Sequence, residues 1–366
     1  MSAHLFDPLT IRGVTFPNRI AVSPMCEYSS VDGFANDWHL VHLGSRGVGG
    51  ASVVFTEATS VSPEGRISPV DLGIWKDAHI EMLARIAKFL AGQGCLFGVQ
   101  LAHAGRKAST AAPWEGMGPV APADGGWIPI GPSAIPFSEK HVVPVEMTEA
   151  DIARVTRDFG TAATRALEAG FRVAEIHAAH GYLLQEFLSP ISNQRTDRYG
   201  GSFENRIRML LEVTAEVRRV WPERLPLFVR ISATDWDERG WTVDESVELA
   251  RRLGPLGVDL LDCSSAGNIP QPAHIPFGSG YQTAMADRIR RESGMRTGAV
   301  GMITSAAQAE HIVFTGQADM VLIAREMLRD PYFPLRAAKE LEQKIAWPRQ
   351  YSRAAPKGSA MREPLE

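Results

Sequence analysis

The chain has little cysteine, with only Cys26, Cys95 and Cys263 among 366 residues. The three are far apart, odd in number and never in a C-x-x-C spacing. They therefore suggest neither a disulfide framework nor a zinc or iron–sulfur site. This usage is typical of a protein that works in a reducing cytoplasm, and we expect no metal cofactor.

An excess of charge of one sign is also absent, since the formal net charge is -4 at pH 7. Such a chain offers nothing to a phosphate backbone, so we do not expect nucleic acid as a partner. No apolar run approaches the length of a membrane span, and the first residues lack the basic and apolar regions of a signal peptide. We expect a soluble, unprocessed protein without a membrane partner.

What the sequence does have is a repeated alternation of short β-branched runs and longer helical patterns, which is typical of a parallel sheet. The eight short runs lie near residues 19–22, 51–56, 96–101, 173–177, 227–231, 260–264, 297–300 and 320–324. The clearest helical patterns cover residues 77–91, 149–169, 204–220, 244–253, 281–292 and 305–314. Eight such units predict one (β/α)8 barrel over residues 1–347.

Two segments depart from this repeat. Residues 108–147 carry seven prolines and two tryptophans without a sustained period, which predicts a long excursion over the barrel mouth after the third strand. A lid or binding loop is favoured there, and a surface insertion that packs its tryptophans down is the alternative. The C-terminal tail, residues 348–366, also lacks a period and is either disordered or bound to something.

Three polar side chains follow the predicted fourth strand, where the sequence reads H-A-A-H-G-Y. His177 and His180 offer paired N–H donors to one oxygen, and the phenol of Tyr182 can give up a proton. This combination indicates a carbonyl clamp with an acid beside it. Taken singly, each residue could equally be a hydrogen-bonded loop histidine or a half-buried tyrosine.

Unusual residues also gather at the ends of other predicted strands, which is where (β/α)8 barrels carry their chemistry. Arg230 lies inside F-V-R-I-S, and a guanidinium pointing into a barrel needs an anion, for which a ligand is the simplest source. The last two strands end in Val300-Gly301-Met302 and Ala324-Arg325, where small residues and an arginine suit a phosphate. These ends predict a phosphate-bearing cofactor.

A metal-dependent barrel hydrolase, with His177 and His180 as ligands, is the main alternative. It explains less, because the other strand ends present Cys26, Gln100 and Arg230, and a cation beside a metal is unfavourable. A non-catalytic binding barrel would use the same pocket but would not need Tyr182.

The whole chain resembles the Old Yellow Enzyme family of FMN-dependent ene reductases, specifically its thermophilic-like subclass. The resemblance rests on motifs that occur in order from one end to the other: L-F-D-P-L-T-I, N-R-I-A-V-S-P-M-C-E-Y, Q-L-A-H-A-G-R-K, H-A-A-H-G-Y with R-T-D-R-Y-G-G-S-F-E-N-R, and A-R-E-M-L-R-D-P. It implies an NADPH dehydrogenase or ene reductase with a flavin across the barrel mouth and NADPH or NADH as reductant.

The resemblance also implies roles for single residues. Arg230 would face the N1/C2 edge of the flavin and favour its reduced state, and Cys26 would tune its potential. The residues that would bind FMN are Ser23, Pro24, Met25, Cys26, Ala58, Gln100, Arg230, Gly301, Ala324 and Arg325. His177 and His180 would hold the carbonyl oxygen of an α,β-unsaturated substrate while Tyr182 protonates its α-carbon.

Further implications concern the assembly and the departures from the family pattern. The subclass implies a homodimer or higher oligomer in which Arg353, within Q-Y-S-R, reaches Tyr28 beside the substrate of a neighbouring subunit. Ala324 stands where the family usually has glycine, and Glu27 stands where glutamine is common. Both put cofactor affinity and redox tuning in doubt, whereas the reaction type is unaffected.

Overall fold

The structure is a computed structural model that describes residues 3–270, 272 and 274–365. It opens with an antiparallel hairpin of two short strands, β1 (Leu9–Ile11) and β2 (Val14–Phe16). The ring of Phe16 is fully buried, and its centroid lies 6.1 Å from that of Phe228, near the start of a barrel strand. The hairpin therefore covers the end of the barrel at which the strands begin.

Eight parallel strands close into a barrel in the order in which they occur along the chain. Almost all of their residues are buried, which is why they appear in the sequence as apolar runs with little alternation. The barrel strands are β3 (Ile20–Val22), β4 (Val53–Ser60), β5 (Leu96–Ala102), then, after the separate pair β6 (Ile130–Gly131) and β7 (Val145–Glu146), β8 (Val173–Ala178), β9 (Leu227–Ser232), β10 (Leu260–Ser264), β11 (Arg296–Ala299) and β12 (Met320–Ile323). The closed barrel confirms the predicted (β/α)8 fold.

Helices connect the strands and form the outer layer. In the described chain they are α1 (Asp37–Gly49), α2 (Ile80–Gly92), α3 (Glu149–Glu168), α4 (Leu183–Leu188), α5 (Phe203–Arg206), α6 (Arg208–Val220), α7 (Val243–Leu253), α8 (Thr283–Ser293), α9 (Ala306–Phe314), α10 (Arg325–Arg329) and α11 (Phe333–Glu340). Thr148 and Thr242 begin α3 and α7 with reciprocal capping boxes, which satisfy backbone N–H groups of the first turn. Across these ranges, no helix combines the length and apolarity that a membrane crossing requires.

Three predicted boundaries were wrong. The second barrel strand continues to Ser60 because a bulge between Phe55 and Ala58 lets the ladder pass the polar Glu57. The helix predicted over residues 204–220 is two helices, since the backbone tightens at Ile207, where ψ is -13°. The helix predicted from residue 77 begins with a separate 3-10 turn, Asp77–His79.

The predicted excursion between β5 and α3 contains only the β6–β7 pair and short 3-10 turns. Its two tryptophans behave differently. The indole N–H of Trp127 donates to the carbonyl oxygen of Glu64 at 2.8 Å, so this ring is packed down. Trp114 is 69% exposed, and its ring meets that of Tyr28 edge-on with centroids 5.7 Å apart. The excursion therefore reaches the end of the barrel at which the strands finish.

The described part of the C-terminal tail folds back onto its own barrel. The backbone N–H of Arg362 donates to the carbonyl oxygen of Trp347 at 2.8 Å, and its guanidinium donates to the carbonyl oxygens of Gly47 and Val48 at 2.8 and 3.0 Å. These carbonyls lie at the end of α1, where the Gly47 oxygen also accepts from the backbone N–H of Gly50 at 3.1 Å and Arg362 supplies a donor to the Val48 oxygen. The tail is thus anchored near the starts of the barrel strands, whereas the side chain of Arg353 is exposed.

We predict that Arg362→Met destabilises the protein by about 1–3 kcal/mol, because it removes the side-chain donor to the Val48 carbonyl oxygen and one of two donors to the Gly47 carbonyl oxygen. Urea unfolding followed by circular dichroism measures this loss. Arg353→Ala is the matched control in the same tail and should unfold like the wild type. Equal unfolding midpoints for the two variants would contradict the anchoring role of Arg362.

Candidate active site

The residues predicted to form the site lie at one end of the barrel, because parallel strands all finish at the same end. Ser23, Pro24, Met25, Cys26 and Tyr28 follow β3; Ala58 and Gln100 lie within β4 and β5; His177 lies in β8, with His180 and Tyr182 just beyond it; Arg230 lies in β9; Gly301 follows β11; and Ala324 and Arg325 follow β12. Arg353 lies apart from these in sequence, in the exposed tail.

The two histidines and Tyr182 contact one another at the end of β8. The ring of His177 meets the rings of His180 and Tyr182 edge-on, with centroid distances of 5.2 and 5.1 Å. His180 has the left-handed backbone angle φ of 59°, and its N–H donates to the hydroxyl of Ser232 at 2.9 Å. This turn needs the glycine that follows, since a Cβ on Gly181 would lie 2.1 Å from a backbone oxygen.

Both histidines are neutral donors at physiological pH. Burial, reinforced by the nearby charge of Arg230, holds the pKa of His177 and of His180 well below the usual range. His177 Nδ1 accepts from the backbone N–H of Ala179 at 3.3 Å, so its own proton is on Nε2. His180 Nε2 lies 2.7 Å from the hydroxyl oxygen of Ser264, and when this hydroxyl donates to Nε2 the proton of His180 is on Nδ1 and available to a ligand. The pair can therefore present two N–H groups to one oxygen.

Tyr182 keeps its proton because burial, followed by the nearby Cys26 and Tyr28, raises the pKa of its phenol well above the ordinary value. The thiol of Cys26 is likewise held protonated, since burial and the carboxylates of Asp71 and Glu57 raise its pKa. A protonated phenol can act as an acid, whereas a protonated thiol is a poor nucleophile.

Glu27, one of the departures from the family pattern, belongs to a buried network behind Cys26. Its carboxylate lies 3.2 Å from Nε2 of His42 and accepts from the indole N–H of Trp38 at 3.0 Å. Its backbone N–H donates to Glu57, which also contacts His39 at 3.1 Å. The sequence analysis missed these partners because they lie on α1 and β4, far apart in the chain.

Arg230 finds its anion within the protein, which corrects the prediction that a ligand supplies it. Its Nε lies 3.1 Å from a carboxylate oxygen of Asp262, the residue beside it on β10. A second buried carboxyl group, on Glu175, accepts from the side-chain amide of Gln100 at 2.8 Å. Burial raises the pKa of Glu175 to about 8 and that of Asp262 to about 6. The signal for both residues was an acidic side chain inside an otherwise apolar strand.

A cavity of about 220 Å³ lies where β11 and β12 end. Gly301, with φ of 115°, and Arg325 line it, as do Tyr281 and Gln282, which the sequence analysis did not single out. The buried hydroxyl of Ser23 has no hydrogen-bond partner among the described residues, and the ion pair of Arg230 Nε with Asp262 does not have hydrogen-bond geometry. A phosphate in the cavity and a planar, acceptor-rich ring over the axis would satisfy these groups, so the site fits FMN.

The metal alternative requires further ligands beside the two histidines. Within residues 3–270, 272 and 274–365, no group of three or more His, Cys, Asp or Glu side chains is placed to hold a metal ion.

Comparison with known proteins gives consistent matches over nearly the whole chain. Residues 4–344 match the model of the NADH:flavin oxidoreductase / NADH oxidase family. The chain is 50% identical to an NADPH dehydrogenase of Geobacillus sp. (strain WCH70) over 355 residues, which are 96% of this chain and 99% of the relative. Its structure is similar to that of the old yellow enzyme homologue from Zymomonas mobilis, with a TM-score of 0.76, 25% identity and coverage of 92% and 93% of the two chains. It is also similar to morphinone reductase in complex with tetrahydroNAD, with a TM-score of 0.76, 26% identity and coverage of 92% and 91%.

The raised pKa of Glu175 predicts a specific loss of stability as the pH rises from acidic to about 8. The folded state binds this proton more tightly than the unfolded state, so the free energy of unfolding should fall as the pH rises from about 4.5 to about 8. Glu175→Gln mimics the protonated group and can still accept from Gln100. Across this range the decrease in the free energy of unfolding should be smaller for the variant than for the wild type by at least about 1 kcal/mol.

Urea unfolding at a series of pH values measures this difference. Glu168→Gln, on the exposed side of α3, is the matched control and should keep the wild-type profile. If the free energy of unfolding of Glu175→Gln falls as much as that of the wild type between pH 4.5 and 8, Glu175 is already ionised in the folded state.

Proposed function

The chain belongs to the Old Yellow Enzyme family, the NADH:flavin oxidoreductase / NADH oxidase family, and we propose from that premise that it is an ene reductase. It is an FMN-dependent oxidoreductase that uses NADPH or NADH, which confirms the cofactors predicted from the sequence. The metal-dependent hydrolase is therefore set aside. The proposed substrates are α,β-unsaturated carbonyl compounds, with nitro compounds as a further class of acceptor.

The cofactor would be held by residues from six strand ends. The phosphate would lie with Gly301, Ala324 and Arg325, and the ring would lie over Ser23, Pro24, Met25, Cys26, Ala58, Gln100 and Arg230. Bound FMN supplies the hydride that passes from NADPH or NADH to the β-carbon of the alkene. Arg230 provides a fixed positive charge at the barrel axis, and Cys26, as a neutral thiol, tunes the redox potential without forming a covalent bond.

One observation carries the substrate assignment: two neutral imidazoles and one protonated phenol contact each other at the end of β8. His177 and His180 would donate to the carbonyl oxygen of the substrate and draw electron density from its double bond. Tyr182 would then give its proton to the α-carbon. Each of the three groups has the protonation state that its step requires.

We further propose that the protein is a homodimer or higher oligomer in which Arg353 reaches Tyr28 of a neighbouring subunit. Two observations support this: Arg362 anchors the tail near the strand starts of its own barrel, and Arg353 remains exposed. The same Arg353→Ala variant should then raise the Michaelis constant for enones at unchanged stability. The free thiols of Cys26, Cys95 and Cys263 support a cytoplasmic location.

The proposed reaction predicts that Tyr182→Phe separates the two halves of the catalytic cycle. Reduction of the flavin by NADPH should keep its rate, because that step needs no proton from Tyr182. Reoxidation by an enone should slow by a factor of roughly 10²–10⁴, as expected for a lost general acid. Stopped-flow absorbance at the flavin band measures both rates in one protein preparation.

Tyr28→Phe, which removes the other hydroxyl of the pocket, is the matched control. It should slow reoxidation far less than Tyr182→Phe. The proposed function fails if the wild type carries FMN and accepts hydride from NADPH but transfers none to enones, or if Tyr182→Phe leaves reoxidation unchanged.

A further inference from the structure

Lys107 contacts both His180 and Tyr182, and neither cofactor binding nor the proposed substrate contacts assign it a role. It ends the 3-10 turn Gly105–Lys107 that follows β5. Its ammonium donates to the backbone carbonyl oxygens of His180 and Gly267 at 2.8 and 3.1 Å. The same nitrogen lies 5.0 Å from the ring centroid of Tyr182 and 4.5 Å from that of Phe137.

Burying this ammonium costs free energy, because a charged group loses its hydration there. No carboxylate of the described chain lies within 4.0 Å of it, so its contacts are carbonyl oxygens and aromatic faces. The nearby acid Glu186 instead accepts from the backbone N–H of Arg106 at 2.8 Å. Burial, with the charge of Arg106 second, lowers the pKa of Lys107 to about 8. The charge of Glu186 favours the ammonium but counts for less than burial and Arg106, so this cation suits a further negative charge that arises during the reaction.

We propose that Lys107 is a positioning residue that stabilises the negative charge developing on Tyr182 as the phenol gives up its proton. This inference rests on the proposed ene reduction. In that step the hydride that the reduced cofactor would supply forms a C–H bond at the β-carbon, and the C=C double bond becomes a single bond. The O–H bond of Tyr182 breaks, and its proton forms a C–H bond at the α-carbon. The phenolate left on Tyr182 later regains a proton from water. A positive charge about 5 Å from the ring favours the phenolate in the water-poor pocket.

A structural alternative uses the same contacts. Lys107 holds the carbonyl oxygen of His180, a residue with a left-handed backbone, so its loss could simply displace the histidine. The two roles differ in their dependence on Tyr182. Stabilisation of a phenolate requires the phenol, whereas support of His180 does not.

A double-mutant cycle between Lys107→Met and Tyr182→Phe separates the two roles. We measure reoxidation of the flavin by an enone in single turnover, with reduction by NADPH in the same proteins as an internal reference. Lys107→Met should slow reoxidation about 10-fold to 100-fold when Tyr182 is present, and less than about 3-fold in the Tyr182→Phe protein. Lys107→Arg, which keeps the charge, should recover most of the rate.

Binding of a para-substituted phenol, followed by its charge-transfer band with the flavin, gives a readout independent of turnover. Its dissociation constant should change less than about 3-fold in Lys107→Met if the histidine pair stays in place. Arg198→Met is the matched control, because Arg198 also lies over a tyrosine ring, 4.8 Å from that of Tyr199, on the segment before α5. It should leave reoxidation unchanged.

The inference is overturned if Lys107→Met slows reoxidation equally with and without the phenol of Tyr182, if it weakens phenol binding more than tenfold, or if it has no effect. A wild-type protein that never passes hydride to an enone overturns the proposed function, and with it this role for Lys107. The two failures are distinguishable. A failure of the Lys107 role is seen only in variants of an active enzyme, whereas a failure of the proposed ene reduction is seen in the wild type.

Discussion

The contact between Arg230 and Asp262 sets the electrostatics on which the site depends. A guanidinium buried at the barrel axis costs free energy unless an anion lies beside it, and Asp262 on the neighbouring strand supplies that anion at 3.1 Å. Burial lowers the pKa of His177 and of His180, and the positive charge held in this way lowers both further. Their neutral state, which makes them donors toward a carbonyl oxygen and not competing cations, follows from that arrangement.

Local backbone geometry then brings the chemistry together. His177 lies within β8. The left-handed turn at His180 and Gly181 reverses the direction of the chain after this strand, so that Tyr182 contacts His177. Gly267 faces this turn closely enough that a side chain on Gly181 would collide with it. Burial also keeps the phenol of Tyr182 and the thiol of Cys26 protonated, because it disfavours their charged forms.

Sequence reasoning predicted the barrel and most of the strand-end residues because both depend on local pattern. Apolar runs mark buried parallel strands, and a polar cluster directly after such a run marks a strand end, as at His177, His180 and Tyr182. It failed where partners come from distant parts of the chain. Asp262 lies 32 positions from Arg230, Glu57 lies 18 and 30 positions from His39 and Glu27, and Gly47 lies 315 positions from Arg362. Such pairings are fixed by tertiary packing, and no local period signals them.

The central claim is that the histidine pair binds a substrate oxygen above a flavin, and a crystal structure of the FMN-loaded protein with a para-substituted phenol tests it most directly. We predict that the phenol oxygen lies within about 3.2 Å of Nε2 of His177 and of Nδ1 of His180, with the ring stacked over the flavin. A phenol oxygen held by other groups, or a metal ion between the two histidines, would contradict it.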